Sequence, residues 1–131
     1  YSDGLTDFHL PYMLDGFAET GRIAEFLCVK TAQSYHMVNI GESGEIQGIC
    51  ELSKADIWIN GGYFMFRNDI FDHLHEGEEL VEQPFQRLIE KGLLGGRRYD
   101  GFFAGMDTFK DKQMLDEMFE QGRAPWQVWK T

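Results

Sequence analysis

The sequence is short of cysteine, of proline and of positive charge, and it has no long apolar run. Its two cysteines, Cys28 and Cys50, lie far apart. Zinc ligands come in closer groups, and a disulfide framework needs more thiols, so neither is expected. Both sit in apolar or β-like surroundings and read as buried core thiols. With 3 prolines and no serine-rich stretch there is no linker to divide 131 residues, so one domain is the expectation. The longest apolar run is of the order of Tyr63-Phe64-Met65-Phe66. A spanning helix needs about 20 such residues, so no transmembrane segment is expected. Lys and Arg number 12 against 22 Asp and Glu, for a net charge of −10. That surface repels phosphate backbones and anionic membranes, which argues against both as partners. The start has no basic segment followed by an apolar one, so a cytoplasmic location is the default. It also has no Met, and the expectation is a piece of a longer protein.

What the chain does have is aromatic weight: 11 Phe, 5 Tyr and 3 Trp, or 15% of residues. Such a load is wrong for disorder despite the charge. Pro11 opens a short helix over about residues 10–20, with Leu10, Met13, Leu14 and Phe17 on one face and Gly21 as its stop. Residues 22–31 read as a strand. Residues 37–40 and 45–51 flank a glycine turn and read as a hairpin. Ile57 to Phe66 is a β run broken by Gly61-Gly62, which signals a bulge or a close approach of the backbone. A short helical turn near 68–73 and an acidic loop at Glu76–Glu79 follow. A second helix starts at Pro84, with Phe85, Leu88 and Ile89 inward and Gly92 as its stop. Residues 94–99 suit a strand. A last helix spans about 109–121, with Leu115, Met118 and Phe119 inward. Alternating strands and helices predict an α/β architecture.

Three places could carry chemistry. Thr108-Phe109-Lys110-Asp111 fits a capping box, in which Thr108 caps the helix and Asp111 reaches back. Asp107 would then lie outside the helix, free to face a cleft. Periodicity leaves open the alternative that Asp107 is itself the cap. Tyr1-Ser2-Asp3-Gly4 reads as a strand end followed by a turn, where an Asp suits Mg²⁺ bound to phosphates or is simply a turn residue. Glu51 and the run Trp58-Ile59-Asn60-Gly61-Gly62 offer the polar, shaped surface that sugar hydroxyls need, although Asn-Gly is also a plain turn signal. His73 and His75 beside Glu76, Glu78 and Glu79 read as a solvated loop rather than a metal site.

These residues carry a family resemblance. Trp58-Ile59-Asn60-Gly61-Gly62-Tyr63-Phe64 resembles a segment of the sugar-1-phosphate nucleotidyltransferases. The stretches Tyr1–Asp7, Asp100–Lys112 and Gly122–Trp129 are similar to the glucose-1-phosphate cytidylyltransferase branch. The resemblance implies the C-terminal, sugar-side half of a Rossmann-like nucleotide-diphospho-sugar transferase domain over residues 1–131, a mixed sheet with flanking helices. The N-terminal nucleotide-binding half would be absent. It implies that Asp3 and Asp107 hold Mg²⁺ as catalytic residues, that Glu51 binds the sugar hydroxyls, and that Asn60, Gly61 and Gly62 frame the sugar pocket. The reaction implied joins glucose 1-phosphate to CTP, giving CDP-glucose and pyrophosphate, a step of nucleotide-sugar biosynthesis. The family follows that Glu with a phosphate-binding Lys. Here Leu52 takes that place, Lys54 could stand in for it, and His36 would narrow the pocket. The family's glycine-rich triphosphate loop has no counterpart, so the chain alone is expected to be inactive. Two other roles compete: a non-catalytic sugar-phosphate-binding module, and an oligomerisation piece in which Trp126 and Trp129 meet a partner. A homo-oligomer is expected, because half a sheet leaves an unpaired edge.

Overall fold

A computed structural model of the chain describes residues 1–31 and 33–129. Strand β1 (Gly4–Thr6) leads into helix α1 (Leu10–Glu19), which carries Pro11 in its first turn, where a missing amide costs nothing. The helix closes at Thr20, whose amide and hydroxyl both donate to the carbonyl of Phe17, at 3.0 and 2.9 Å. Met13 and Phe17 are buried as expected, but Leu14 is 55% exposed, so the inward stripe is narrower than the apolar pattern. Next come β2 (Ala24–Val29) and a hairpin of β3 (His36–Ile40) with β4 (Ile46–Glu51). A 3₁₀ turn at Leu52–Lys54 precedes β5 (Ile59–Asn60) and β6 (Met65–Phe66). A second 3₁₀ segment, Asn68–His73, leads to α2 (Gln83–Glu90), β7 (Leu94–Tyr99), β8 (Phe103–Gly105) and α3 (Phe109–Glu120).

β2 is the centre of the main sheet. It runs parallel to β7 over six residue pairs, Ala24↔Leu94 to Val29↔Tyr99. On its other side it pairs antiparallel with β5 and β6, which together form one interrupted strand. Between the pairs Cys28↔Asn60 and Glu25↔Met65, Phe26 and Leu27 of β2 face four residues, Gly61–Phe64. The excess residues form the bulge that Gly61-Gly62 foretold. Gly62 adopts φ +75°, which an L side chain resists, and Tyr63 follows at φ +52°.

Alternate residues of β2 serve two cores. Leu27 and Val29 pack with Met13 of α1. Ala24 joins Ile23, Ile70, Phe85 and Leu88 on the α2 side, where Phe26 stacks on Phe85 at 5.8 Å. The sheet is mixed and flanked by helices, the α/β class that the alternating pattern predicts. α2 ends in a Schellman motif: Gly92 adopts φ +68°, and the Leu93 amide reaches back 2.8 Å to the carbonyl of Leu88.

Several local expectations need correction. Ile89 and Phe119 are exposed and Met118 is half-buried, because no element among the described residues covers those helix faces. Cys28 is only half-buried, and Cys50 is exposed on the hairpin. Asp3 does not end a strand; it precedes β1, whose pairing starts at Gly4. The partner strand is β8, about a hundred residues away in sequence (Gly4↔Gly105), which local turn composition cannot reveal. The acidic loop is not wholly solvated either. Glu78 takes both terminal nitrogens of Arg87, at 2.8 and 2.9 Å, and lies 2.9 Å from His75 Nδ1. Arg87 holds the Glu78 carboxyl below its usual range. No helix among the described residues is long and apolar enough to cross a membrane.

Candidate active site

The β1–β8 ribbon brings the two ends of the chain together. Beyond the pairs Gly4↔Gly105, Leu5↔Ala104 and Thr6↔Phe103, the amide of Met106 donates to the carbonyl of Asp3 at 2.9 Å. The main chain therefore delivers Asp3 beside the residue that follows Met106, which is Asp107.

The start of α3 frees the Asp107 side chain. Thr108 is the N-cap, and its hydroxyl accepts from the Asp111 amide at 3.1 Å. The Asp111 carboxylate accepts from the amides of Thr108 and Asp107, at 3.0 and 3.1 Å. The Thr108 side chain first, and then these amides, hold the Asp111 carboxyl below the usual aspartate range. With the helix end satisfied by its neighbours, the Asp107 carboxyl is left free to face Asp3. Hydrogen bonding with Asp3, and then the negative charge of Asp3, push the Asp107 pKa above the ordinary aspartate value. Both residues are exposed.

The pair stands in a cleft of about 600 Å³, whose wall includes Tyr1, Asn60, Gly61, Tyr63, Phe64 and Phe103. Asn60 holds the bulge in shape: its Oδ1 accepts from the Gly62 amide at 2.8 Å, and its Nδ2 donates to the Tyr1 hydroxyl at 3.3 Å. Gly61 lies where a Cβ would stand 3.1 Å from the carbonyl oxygen of Leu27 and 3.1 Å from a Val29 methyl, tighter than ordinary contact. Gly62 borders Tyr1 rather than the open cleft; a Cβ there would meet the Tyr1 ring at 3.5 Å. Tyr63 has a role that its residue type alone does not disclose. Its hydroxyl donates to the carbonyl of Gly4 at 2.8 Å, so the bulge is tied to the strand that carries Asp3. The signal was its place directly after the two glycines, where a side chain is swung out of the strand's alternation. Burial pushes its phenol pKa up.

Asp3, Asp107, Asn60 and Gly61 thus share one cleft, and Glu51 and Lys54 do not line it. Those two are exposed and pair with each other at 3.4 Å, around the 3₁₀ turn that follows the hairpin. His36 faces Glu51 across the hairpin and is exposed away from the cleft wall. Among the described residues no group of three or more His, Cys, Asp or Glu gathers as a metal-binding cluster, His73 and His75 included.

The chain is similar to known nucleotidyltransferases. The chain is 29% identical over 131 residues to the glucose-1-phosphate cytidylyltransferase of Salmonella typhi, covering 98% of this chain and 51% of that protein. The Salmonella typhimurium enzyme of the same name gives the same identity and coverage. A Bacillus anthracis crystal structure assigned as a glucose-1-phosphate thymidylyltransferase, in complex with a sucrose, superposes with a TM-score of 0.60 at 14% identity, over 88% of this chain and 51% of that one. The chain resembles the C-terminal part of a sugar-1-phosphate nucleotidyltransferase. It spans about half the length of the curated relatives it matches. No family model matches it.

For such a nucleotidyltransferase part, a divalent cation is chemically suited to the Asp3–Asp107 pair. Asp3 raises the Asp107 pKa, by hydrogen bonding first and by its negative charge second, and a cation beside two carboxylates relieves that charge. They are open to solvent and front a cleft, and Mg²⁺ is commonly held by one or two carboxylates, with water and phosphate completing its shell.

Proposed function

We infer that this chain forms the sugar side of a nucleotidyltransferase that joins glucose 1-phosphate to CTP. A phosphate oxygen of the sugar phosphate attacks the α-phosphorus of CTP. The bond to the bridging oxygen breaks, pyrophosphate leaves, and CDP-glucose forms. Asp3 and Asp107 hold Mg²⁺, which supplies charge neutralisation between the reacting phosphates. Asn60 and Tyr1 orient the sugar hydroxyls, and Gly61 keeps the bulged backbone close to the sugar. Phe64 and Phe103 make the aromatic wall that limits water. The observation that carries this reading is the meeting of Asp3 and Asp107, from opposite ends of the chain, at one cleft. CTP is the nucleotide that the name of the similar cytidylyltransferases suggests.

The test is direct. A full-length protein containing this chain, given glucose 1-phosphate, Mg²⁺ and each nucleoside triphosphate in turn, releases pyrophosphate fastest with CTP. No release with any nucleotide overturns the reading. The alternative of a non-catalytic sugar-phosphate module draws on one observation: Glu51 and Lys54 neutralise each other outside the cleft. That module binds glucose 1-phosphate but makes no pyrophosphate.

Self-association belongs to the same proposal. Val38, Ile40, Ile46 and Ile49 share one face of the hairpin and are 49–65% exposed, and Trp129 is exposed as well. The isolated chain is expected to run as a dimer or larger in light scattering; a clean monomer at micromolar concentration removes the homo-oligomer.

A further inference from the structure

In a chain with ten more acids than bases, Arg22, Lys54, Arg87 and Lys112 each have a carboxylate within ion-pair distance. Among the described residues, seven other Lys and Arg are not in such pairs; two of them, Lys30 and Arg98, come together. Both converge on one indole: Lys30 Nζ lies 5.1 Å and the Arg98 guanidinium 5.7 Å from the centre of the Trp58 ring. Strand register explains the meeting. Cys28 is level with Asn60 on one side and Arg98 on the other, so these three side chains share a face of the sheet. Lys30 lies two residues beyond Cys28 and Trp58 two before Asn60, and both fall on that face. Arg97, one residue away, goes to the opposite face and lies over Phe8 at 5.8 Å.

α2 packs over the other end of this face, at Ala24 and Phe26. The Lys30–Arg98 end is formed by the carboxyl ends of two parallel strands, the usual place for ligands in open α/β sheets. Lys30 is half-buried there. The Trp58 indole N–H donates to the Asp56 carboxylate at 2.9 Å, and that single charge with the ring's negative face offsets only part of the repulsion between two cations on one ring. A dianion between them removes the repulsion. The guanidinium can present paired N–H groups to phosphate oxygens, with the ammonium as a point charge beside it. Trp58 leads directly into Ile59 and Asn60 of the cleft wall.

We propose that Lys30 and Arg98, gathered at Trp58, bind the phosphate of a phosphate monoester at the edge of the cleft. That the ester is a sugar phosphate rests on the transferase reading; the anion site itself does not. The experiment titrates the chain separately with glucose 1-phosphate, inorganic phosphate and glucose. Binding is followed by calorimetry and by the indole N–H resonance of Trp58. Glucose 1-phosphate binds and moves that resonance. Lys30→Gln combined with Arg98→Gln weakens it at least about tenfold, while the charge-preserving pair Lys30→Arg with Arg98→Lys keeps most of the affinity. Equal binding of inorganic phosphate supports the anion site and assigns its strength to phosphate alone. Equal binding of glucose, no movement of the Trp58 resonance, or unchanged affinity in the Gln pair overturns it. Asp3→Asn retains phosphate binding on this view. A full-length protein that makes no product can therefore still uphold this site, and a failed site leaves the Asp3–Asp107 chemistry untouched.

Discussion

Asp107→Asn, or separately Asp3→Asn, is expected to cut nucleotidyl transfer by a full-length protein carrying this chain by about a thousandfold or more, with the fold intact. The magnitude follows from the several kcal/mol that a bound cation supplies to phosphates in reaction, at about 1.4 kcal/mol per tenfold in rate. The intact fold follows from what Asp107 does not do. The helix end is capped by Thr108 and Asp111, so loss of the Asp107 carboxylate leaves every amide bond of the capping box in place. The sign of its titration points the same way. Asp3 raises the Asp107 pKa, so the folded chain holds that proton more tightly than the unfolded chain does. Stability therefore falls as pH rises from the ordinary aspartate value through the raised one, and the repulsion persists at neutral pH. Asp107→Asn removes it. Its melting temperature at pH 7 should equal or exceed that of the unsubstituted chain, and the difference should vanish once both carboxyls are protonated. Asp111 behaves oppositely: its lowered pKa contributes stability at neutral pH that is lost as pH falls through the folded value. An Asp107→Asn protein that retains full turnover removes the proposed mechanism.

Leu27→Ala should cost the fold about 3 kcal/mol, whereas Leu14→Ala should change it by less than about 0.5 kcal/mol. Leu27 is fully buried against Met13 and Val29, and truncating it leaves a cavity between the sheet and α1. Its backbone also holds the bulge: the Leu27 amide donates to the Gly62 carbonyl at 3.1 Å, and the Leu27 carbonyl accepts from Gly61 at 2.8 Å. A loss of this size is a large share of the roughly 5–15 kcal/mol that domains possess. It should loosen the cleft wall before the chain unfolds. Leu14 lies on the same apolar stripe in sequence but is 55% exposed. Urea denaturation of the two variants gives the comparison; equal losses would mean that α1 packs by a different face.

Leu14 illustrates what the sequence could and could not carry. Apolar spacing says which helix face is suited to burial, but not whether a neighbour is there to bury it. Spacing alone puts Leu14, Ile89 and Phe119 inward, and all three lie exposed. Features set by contacts a few residues long were legible: Pro11 at the head of α1, the Gly92 stop of α2, the Thr108–Asp111 box, and the break at Gly61-Gly62. The meeting of Asp3 with Asp107 was not legible from any local pattern, since it depends on β1 finding β8 at the far end of the chain. Only the family resemblance pointed to it. Glu51 and Lys54 show the reverse case. The family resemblance implied a substrate contact for both, and the turn after the hairpin pairs them with each other outside the cleft. Tyr63 was missed because its role comes from a bulge that throws it across to Gly4.

The central claim is that two acidic side chains from opposite ends of the sequence serve one cation. Paramagnetic broadening of the amide spectrum by Mn²⁺, a stand-in for Mg²⁺, addresses it most directly. The account predicts that resonances of residues 3–4 and 105–108 broaden together at the lowest Mn²⁺ concentrations, and that Asp107→Asn abolishes the effect at both segments. Broadening that begins at Glu76–Glu79, or at one of the two segments without the other, would contradict it.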